Sequence, residues 1–125
     1  RDEGASYHYL PPSREVEMDL EVYNHIKNEL SKRGIPHKTS KTWTTDAIFR
    51  ETRDKVNLRI SEGCMTVDME AAAFFAVAKF RGVKLGQILY CGDDLSAEEW
   101  DGRKWKNKNV RKNLVELSMD ICLKL

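Results

Sequence analysis

Four carboxylates stand at two places where an apolar, β-prone stretch turns polar. Asp68 and Glu70 follow Met65-Thr66-Val67, and Asp93 and Asp94 follow Leu89-Tyr90-Cys91-Gly92. The first pair opens an apolar run through Phe74, Phe75, Val77 and Phe80. A helix that is apolar all round belongs in a core, so Glu70 is expected where a strand hands over to a buried helix. An acid at a helix start is favoured by the dipole by about 0.3–1 kcal/mol, which is the plain structural explanation. A buried carboxylate also needs hydrogen-bond donors, and a sugar supplies two hydroxyls. The second pair reads two ways. Asp93 caps the next helix, as an acid after a strand often does. Alternatively, two adjacent carboxylates near Glu70 raise one another's pKa, and one keeps a proton near neutrality. A protonated Asp can give that proton to a leaving base.

Other chemistries find less support. Asp93-Asp94 with Glu98-Glu99 matches no calcium loop and has no His beside it, so no metal site is expected. His8 lies in a polar-aromatic stretch that could face a site, His25 falls inside a helical pattern, and His37 follows a proline. There is no Ser-His-Asp order, glycine-rich phosphate loop or CxxC pair.

The elements that must position these residues are legible from periodicity. Val16, Leu20, Tyr23, Ile26 and Leu30 recur at helical spacing between Pro11-Pro12-Ser13 and Gly34. Residues 37–45, rich in Thr, Ser and Trp, predict a strand ending near Asp46. Residues 47–63 predict a loop with a short helix, 64–68 a strand, and 69–80 the buried helix, closed by Gly82. Val83, Leu85, Ile88, Leu89, Tyr90 and Cys91 predict a strand buried on both faces. Val110, Leu114, Leu117 and Ile121 mark one face of a last helix. Alternating strands and helices give an α/β fold, a layered sheet flanked by helices, as a single domain over residues 1–125. In such sheets ligands bind at the carboxyl ends of strands. Three predicted ends carry polar groups: Thr44-Thr45-Asp46, Asp68-Met69-Glu70 and Gly92-Asp93-Asp94.

Charge is balanced, with 21 Lys plus Arg against 20 Asp plus Glu, so neither nucleic acid nor a membrane surface is an expected partner. No apolar run approaches the roughly 20 residues of a spanning helix, and no leader is recognised. Cys64, Cys91 and Cys122 are odd in number and set in apolar surroundings. They read as reduced core cysteines of a cytoplasmic protein.

Several segments resemble the nucleoside phosphorylase superfamily, which includes uridine phosphorylase, hexameric purine nucleoside phosphorylase and methylthioadenosine nucleosidases. Gly4-Ala5-Ser6-Tyr7-His8-Tyr9-Leu10-Pro11 resembles the Gly-Ala-Ser-x-His segment of uridine phosphorylases. Thr44-Thr45-Asp46-Ala47-Ile48-Phe49 is similar to a Ser-Ser-Asp-x-Phe-Tyr base-pocket segment. Val67-Asp68-Met69-Glu70-Ala71-Ala72-Ala73 is similar to the Val-Glu-Met-Glu-x-Ala-Ala signature. Tyr90-Cys91-Gly92-Asp93-Asp94 stands in the place of the purine enzymes' Ser-Asp, with Gly92 where the Ser would be.

The resemblance implies the C-terminal part of that fold. It also implies a ribose role for Met69 and Glu70, with Asp68, Thr45, Ile48 and Phe49 completing the nucleoside site. Asp93 becomes the acid that protonates a purine. Phe49-Arg50-Glu51-Thr52-Arg53 supplies an Arg but not the Gln of the uracil-reading pair, so base preference stays open. The implied activity is cleavage of a nucleoside's N-glycosidic bond by phosphate, a co-substrate, with no other cofactor. The family's phosphate loop and arginines belong to its N-terminal half, so the chain is expected to be the nucleoside-binding half, associated with copies of itself. The alternative is an inactive truncated relative serving as an oligomeric or binding module.

Overall fold

The computed structural model describes residues 1–92 and 108–125, excepting the side chain of Lys108. Two strands, β1 (Lys41–Thr44) and β2 (Cys64–Asp68), lie parallel. Thr42 stands opposite Thr66, Trp43 opposite Val67 and Thr44 opposite Asp68, with an irregularity next to Lys41. Parallel neighbours need a crossover; residues 45–63 provide it and carry the helix α2 (Arg53–Ser61). Asp2 forms a further parallel bridge to Thr45, its N–H donating to the Thr44 carbonyl at 2.9 Å. The mixed α/β architecture matches the sequence expectation, with helices α1 (Leu20–Lys32), α3 (Ala71–Arg81) and α4 (Lys108–Cys122) completing it.

Alternation along β1 divides its side chains between two layers. Trp43 is buried beneath α2, with Lys55 and Arg59 over its ring at 5.9 and 5.6 Å. Its indole N–H donates to Asp2 Oδ2 at 3.1 Å, and the same oxygen receives Lys55 at 3.0 Å and Arg59 at 3.3 Å. Burial would raise the Asp2 carboxyl, but hydrogen bonds from Lys55 and Trp43 outweigh it and hold the group below its ordinary value. Thr42 and Thr44 face the other way, toward α3.

Helix α1 begins at Leu20, later than Pro11-Pro12-Ser13 suggest, because Asp19 Oδ1 accepts the N–H groups of Glu21 (2.8 Å) and Val22 (3.3 Å). Its buried Val22 and Leu30 form a core with Ile121 of α4. There His25 Nε2 meets the Ile121 carbonyl at 3.0 Å, a structural use of that histidine. Around this seam Glu29 receives Lys32 at 2.9 Å and Lys124 at 3.1 Å, and Arg33 pairs with Asp120 at 3.1 Å.

Three expectations are corrected. Helix α3 buries Ala71, Ala72, Ala76 and Ala78, while Phe74 and Phe80 stay 58% and 60% exposed. The small alanine face lets the helix approach β1 closely and leaves the rings outward. The helix does end at Gly82, whose φ of 65° suits only glycine without strain. Residues 83–92 form no strand, because a strand needs a neighbour for its amides and the sheet among the described residues has two members. This segment instead crosses α1. A Cβ on Gly86 would lie 2.4 Å from Ile26 Cδ1 and 2.8 Å from Val22 Cγ1, and Lys84 pairs with Glu21 at 2.7 Å. Finally, Cys91 and Cys122 are exposed rather than core, and Cys64 is half-buried, with its thiol pushed up by burial. Among the described residues no helix is long and apolar enough to cross a membrane.

Candidate functional site

Because β1 and β2 are parallel, their carboxyl ends open on the same side of the sheet. Asp68 organises that side. Its Oδ2 accepts the Thr42 hydroxyl at 2.6 Å and the Thr44 hydroxyl at 3.4 Å; its Oδ1 accepts the N–H groups of Glu70 (3.0 Å) and Ala71 (2.7 Å). Thr44 Oγ1 in turn accepts the Ala72 N–H at 3.0 Å. Together these bonds satisfy three of the four donors that a helix start such as that of α3 leaves unpaired. Both oxygens of Asp68 are therefore engaged in holding the junction between strand and helix.

The junction presents Met69 and Glu70 outward. Glu70 occupies the N-cap position of α3 without a side-chain cap bond, and among the described residues its carboxylate has no protein partner. It is exposed, and Met69 is 44% exposed. The expectation of a buried Glu70 is thus corrected, because Asp68 does the capping that burial of Glu70 would have required. A carboxylate at a helix N-terminus with its acceptors free can receive two hydroxyl donors from a ligand.

The second edge of the site comes from the end of β1. Thr45 is fully buried, its N–H donating to the Asp68 carbonyl at 2.9 Å and its Oγ1 accepting the Ala47 N–H at 3.3 Å. This tight turn leads into a 3₁₀ turn, Ile48–Arg50, whose Ile48 and Phe49 are 54% and 97% exposed. So large an apolar ring in water is available for stacking on a flat ligand.

The third edge is the 3₁₀ turn Ala5–His8, which packs against α3. Asp46 Oδ2 accepts the Gly4 N–H at 3.0 Å, fastening this turn to the end of β1. Behind it Ser6 is fully buried; Glu3 accepts both its N–H (2.9 Å) and its hydroxyl, and Arg1 Nε donates to Ser6 Oγ at 2.9 Å. His8 is exposed.

Three of the four segments singled out in the sequence therefore meet at one end of the sheet. Asp93, the candidate acid, and its neighbour Asp94 lie outside the described residues. The positioning roles of Asp2, Glu3, Thr42 and Thr44 were not anticipated. The one available signal was the Thr-x-Thr alternation of Thr42 and Thr44, which places two hydroxyls on the Asp68 face. Among the described residues no three His, Cys, Asp or Glu side chains converge on a metal position. A cavity of about 1180 Å³ lies beside β1; Thr42, Thr44, Ala71 and Ala72 of the junction border it, but Thr45, Ile48, Phe49, Met69 and Glu70 do not.

Comparison with known proteins gives the family. A family model described as the Phosphorylase superfamily matches residues 1–124. The crystal structure of AMP nucleosidase from Bacteroides thetaiotaomicron superposes with a TM-score of 0.58 and 28% sequence identity, covering 69% of this chain and 38% of that one. The present chain thus spans well under half the length of that relative. With a family match along nearly all its length and the site segments gathered at one sheet end, this chain belongs to the phosphorylase superfamily.

Proposed function

We propose that the chain is the nucleoside-binding part of an enzyme that cleaves the N-glycosidic bond of nucleosides. The observation that carries this reading is the Asp68 clamp, which leaves Glu70 and Met69 outward and free beside the Thr45–Phe49 edge. On this reading Glu70 accepts the ribose hydroxyls, Met69 packs on the sugar, and Phe49 and Ile48 cover the base. The bond between the anomeric carbon and the base nitrogen breaks, its electron pair leaving with the base. Asp93 gives that base a proton, and a phosphate oxygen bonds to the anomeric carbon.

A second reading puts water in place of phosphate, and the similarity to a protein named a nucleosidase favours it. Cytoplasmic location and pairing with a second copy of the chain fit either version. Two experiments decide. Inosine, adenosine, AMP and uridine are compared by the thermal shift each gives the chain, and nucleoside binding requires a rise with at least one. Base release is then followed with and without phosphate in a longer form carrying the rest of the fold. Phosphate-dependent release supports the first reading, and phosphate-independent release the second.

A further inference from the structure

The turn that carries Ile48 and Phe49 is held from both sides by residues 2–4. Upstream of it, Asp46 Oδ2 accepts the Gly4 N–H at 3.0 Å. Downstream, α2 follows at Arg53, so the turn is fixed only if that helix is fixed. Helix α2 buries none of its residues, and its Leu58 and Ile60 are exposed, so apolar packing does little to hold it. Its grip on the sheet is ionic. Asp2 Oδ2 takes Lys55 at 3.0 Å and Arg59 at 3.3 Å, and both cations lie over the Trp43 ring, whose indole N–H reaches the same oxygen. Asp2 cannot follow the helix outward, because its own N–H is bonded to the Thr44 carbonyl at 2.9 Å. Glu62 does not replace it. That carboxylate takes Arg59 at 2.8 Å from the end of the same helix, which ties nothing to the sheet, and it lies about 10 Å further along the axis than Lys55.

We propose that Asp2 is a positioning residue for the base end of the site: through Lys55 and Arg59 it sets where Ile48 and Phe49 stand, and so how tightly a base is held. The ligand in this proposal rests on the nucleoside reading; the anchoring of the turn does not. Removing the carboxylate leaves two like charges over one ring, which repel, and Lys55 is then drawn to water with the first turn of α2. The sugar end has its own anchor, since Asp68 holds the N–H groups of Glu70 and Ala71 at 3.0 and 2.7 Å. Loss of the Asp2 tie therefore loosens the base end and leaves the sugar end in place.

The test uses Asp2→Asn, which removes the charge, and Lys55→Gln, which cuts the tie nearest the turn while Asp2 keeps Trp43 and Arg59. Amide hydrogen exchange is read without ligand at Arg50, whose N–H donates to the Ala47 carbonyl at 2.8 Å, and at Val56, whose N–H donates to the Thr52 carbonyl at 2.9 Å. Tyr23, in the first turn of α1, is the reference. Both variants should speed exchange at Arg50 and Val56 by about fivefold, the effect of a partly exposed charge-assisted bond, and leave Tyr23 unchanged. Calorimetry then uses whichever of inosine, adenosine, AMP or uridine gives the largest thermal shift. Lys55→Gln should weaken its binding by about threefold in the parent and in Glu70→Gln, and not at all in Phe49→Ala, because the tie acts through that ring. Unmoved rates at Arg50 and Val56, equal acceleration at Tyr23, or the same loss of affinity in Phe49→Ala as in the parent would overturn the proposal. Faster exchange at both amides in a chain that binds none of the four ligands would uphold Asp2 as the anchor of the turn and remove the nucleoside reading instead.

Discussion

Thr42 Oγ1 donates to Asp68 Oδ2 across 2.6 Å, from the middle of one strand to the carboxyl end of its parallel neighbour. The other Asp68 oxygen starts the helix after β2, so a single side chain locks sheet, helix and site mouth together. Asp68→Ala removes the acceptor of two backbone N–H groups and of the buried Thr44 hydroxyl, and leaves the Thr42 hydroxyl only the Thr66 carbonyl at 3.3 Å. A lost cap costs about 0.5–2 kcal/mol and an orphaned buried partner about 1–3 kcal/mol. Urea denaturation should therefore show a loss of about 2 kcal/mol or more. A loss below about 0.5 kcal/mol, the range of ordinary surface changes, would mean the clamp does not hold this junction.

Gly86→Ala places a methyl against Ile26 and the buried Val22 where the 83–92 segment crosses α1. Overpacking of this kind costs about 1–3 kcal/mol. The chemical-denaturation midpoint should fall accordingly; an unchanged midpoint would show that the segment does not press on α1.

Glu29 gives the fold an acid dependence. Hydrogen bonds from Lys32 and Lys124 lower its pKa from an ordinary 4.5 to about 2. The unfolded chain takes up a proton near 4.5 while the folded chain resists until about 2. The contribution is therefore complete above 4.5 and is lost as pH falls toward 2. Both ammonium groups are well exposed, so solvent screens the pair and the effect is modest. Urea midpoints across that range should decline less steeply in Glu29→Gln than in the parent, and parallel declines would remove the assignment.

Asp93→Asn keeps size and polarity but cannot give up a carboxyl proton. In a form of the protein with the complete fold, purine nucleoside turnover should drop by about 10²–10⁴, the span of general acid catalysis. Parental turnover in that variant would exclude Asp93 as the acid.

The fold was legible where periodicity and punctuation agreed. Cys64–Asp68 and the end of α3 at Gly82 fell where the residues indicated, because a β-branched run and a positive-φ glycine are local signals. Residues 83–92 misled because an apolar run declares only that it is strand-like, while pairing depends on neighbours that the run cannot name. The meeting of residues 44–49 and 68–72 was legible from the rule that strand ends hold ligands, whereas residues 4–8 were singled out only by the family resemblance. Which carboxylate faces outward was not: Asp68 and Glu70 are the same chemistry two residues apart, and only the Thr42 and Thr44 hydroxyls across the sheet decide that Asp68 turns in.

Glu70 is exposed and without a protein partner among the described residues, so Glu70→Gln should leave folding intact and act on the ligand alone. A hydrogen bond to a charged acceptor is worth about 1.5–3 kcal/mol. Titration calorimetry of the chain and of Glu70→Gln, with whichever of inosine, adenosine, AMP or uridine gives the largest thermal shift, should show affinity weakened by at least about fivefold, or 1 kcal/mol. Equal affinity in the two proteins, or no nucleoside binding by the folded parent chain, would contradict a ribose site at Glu70.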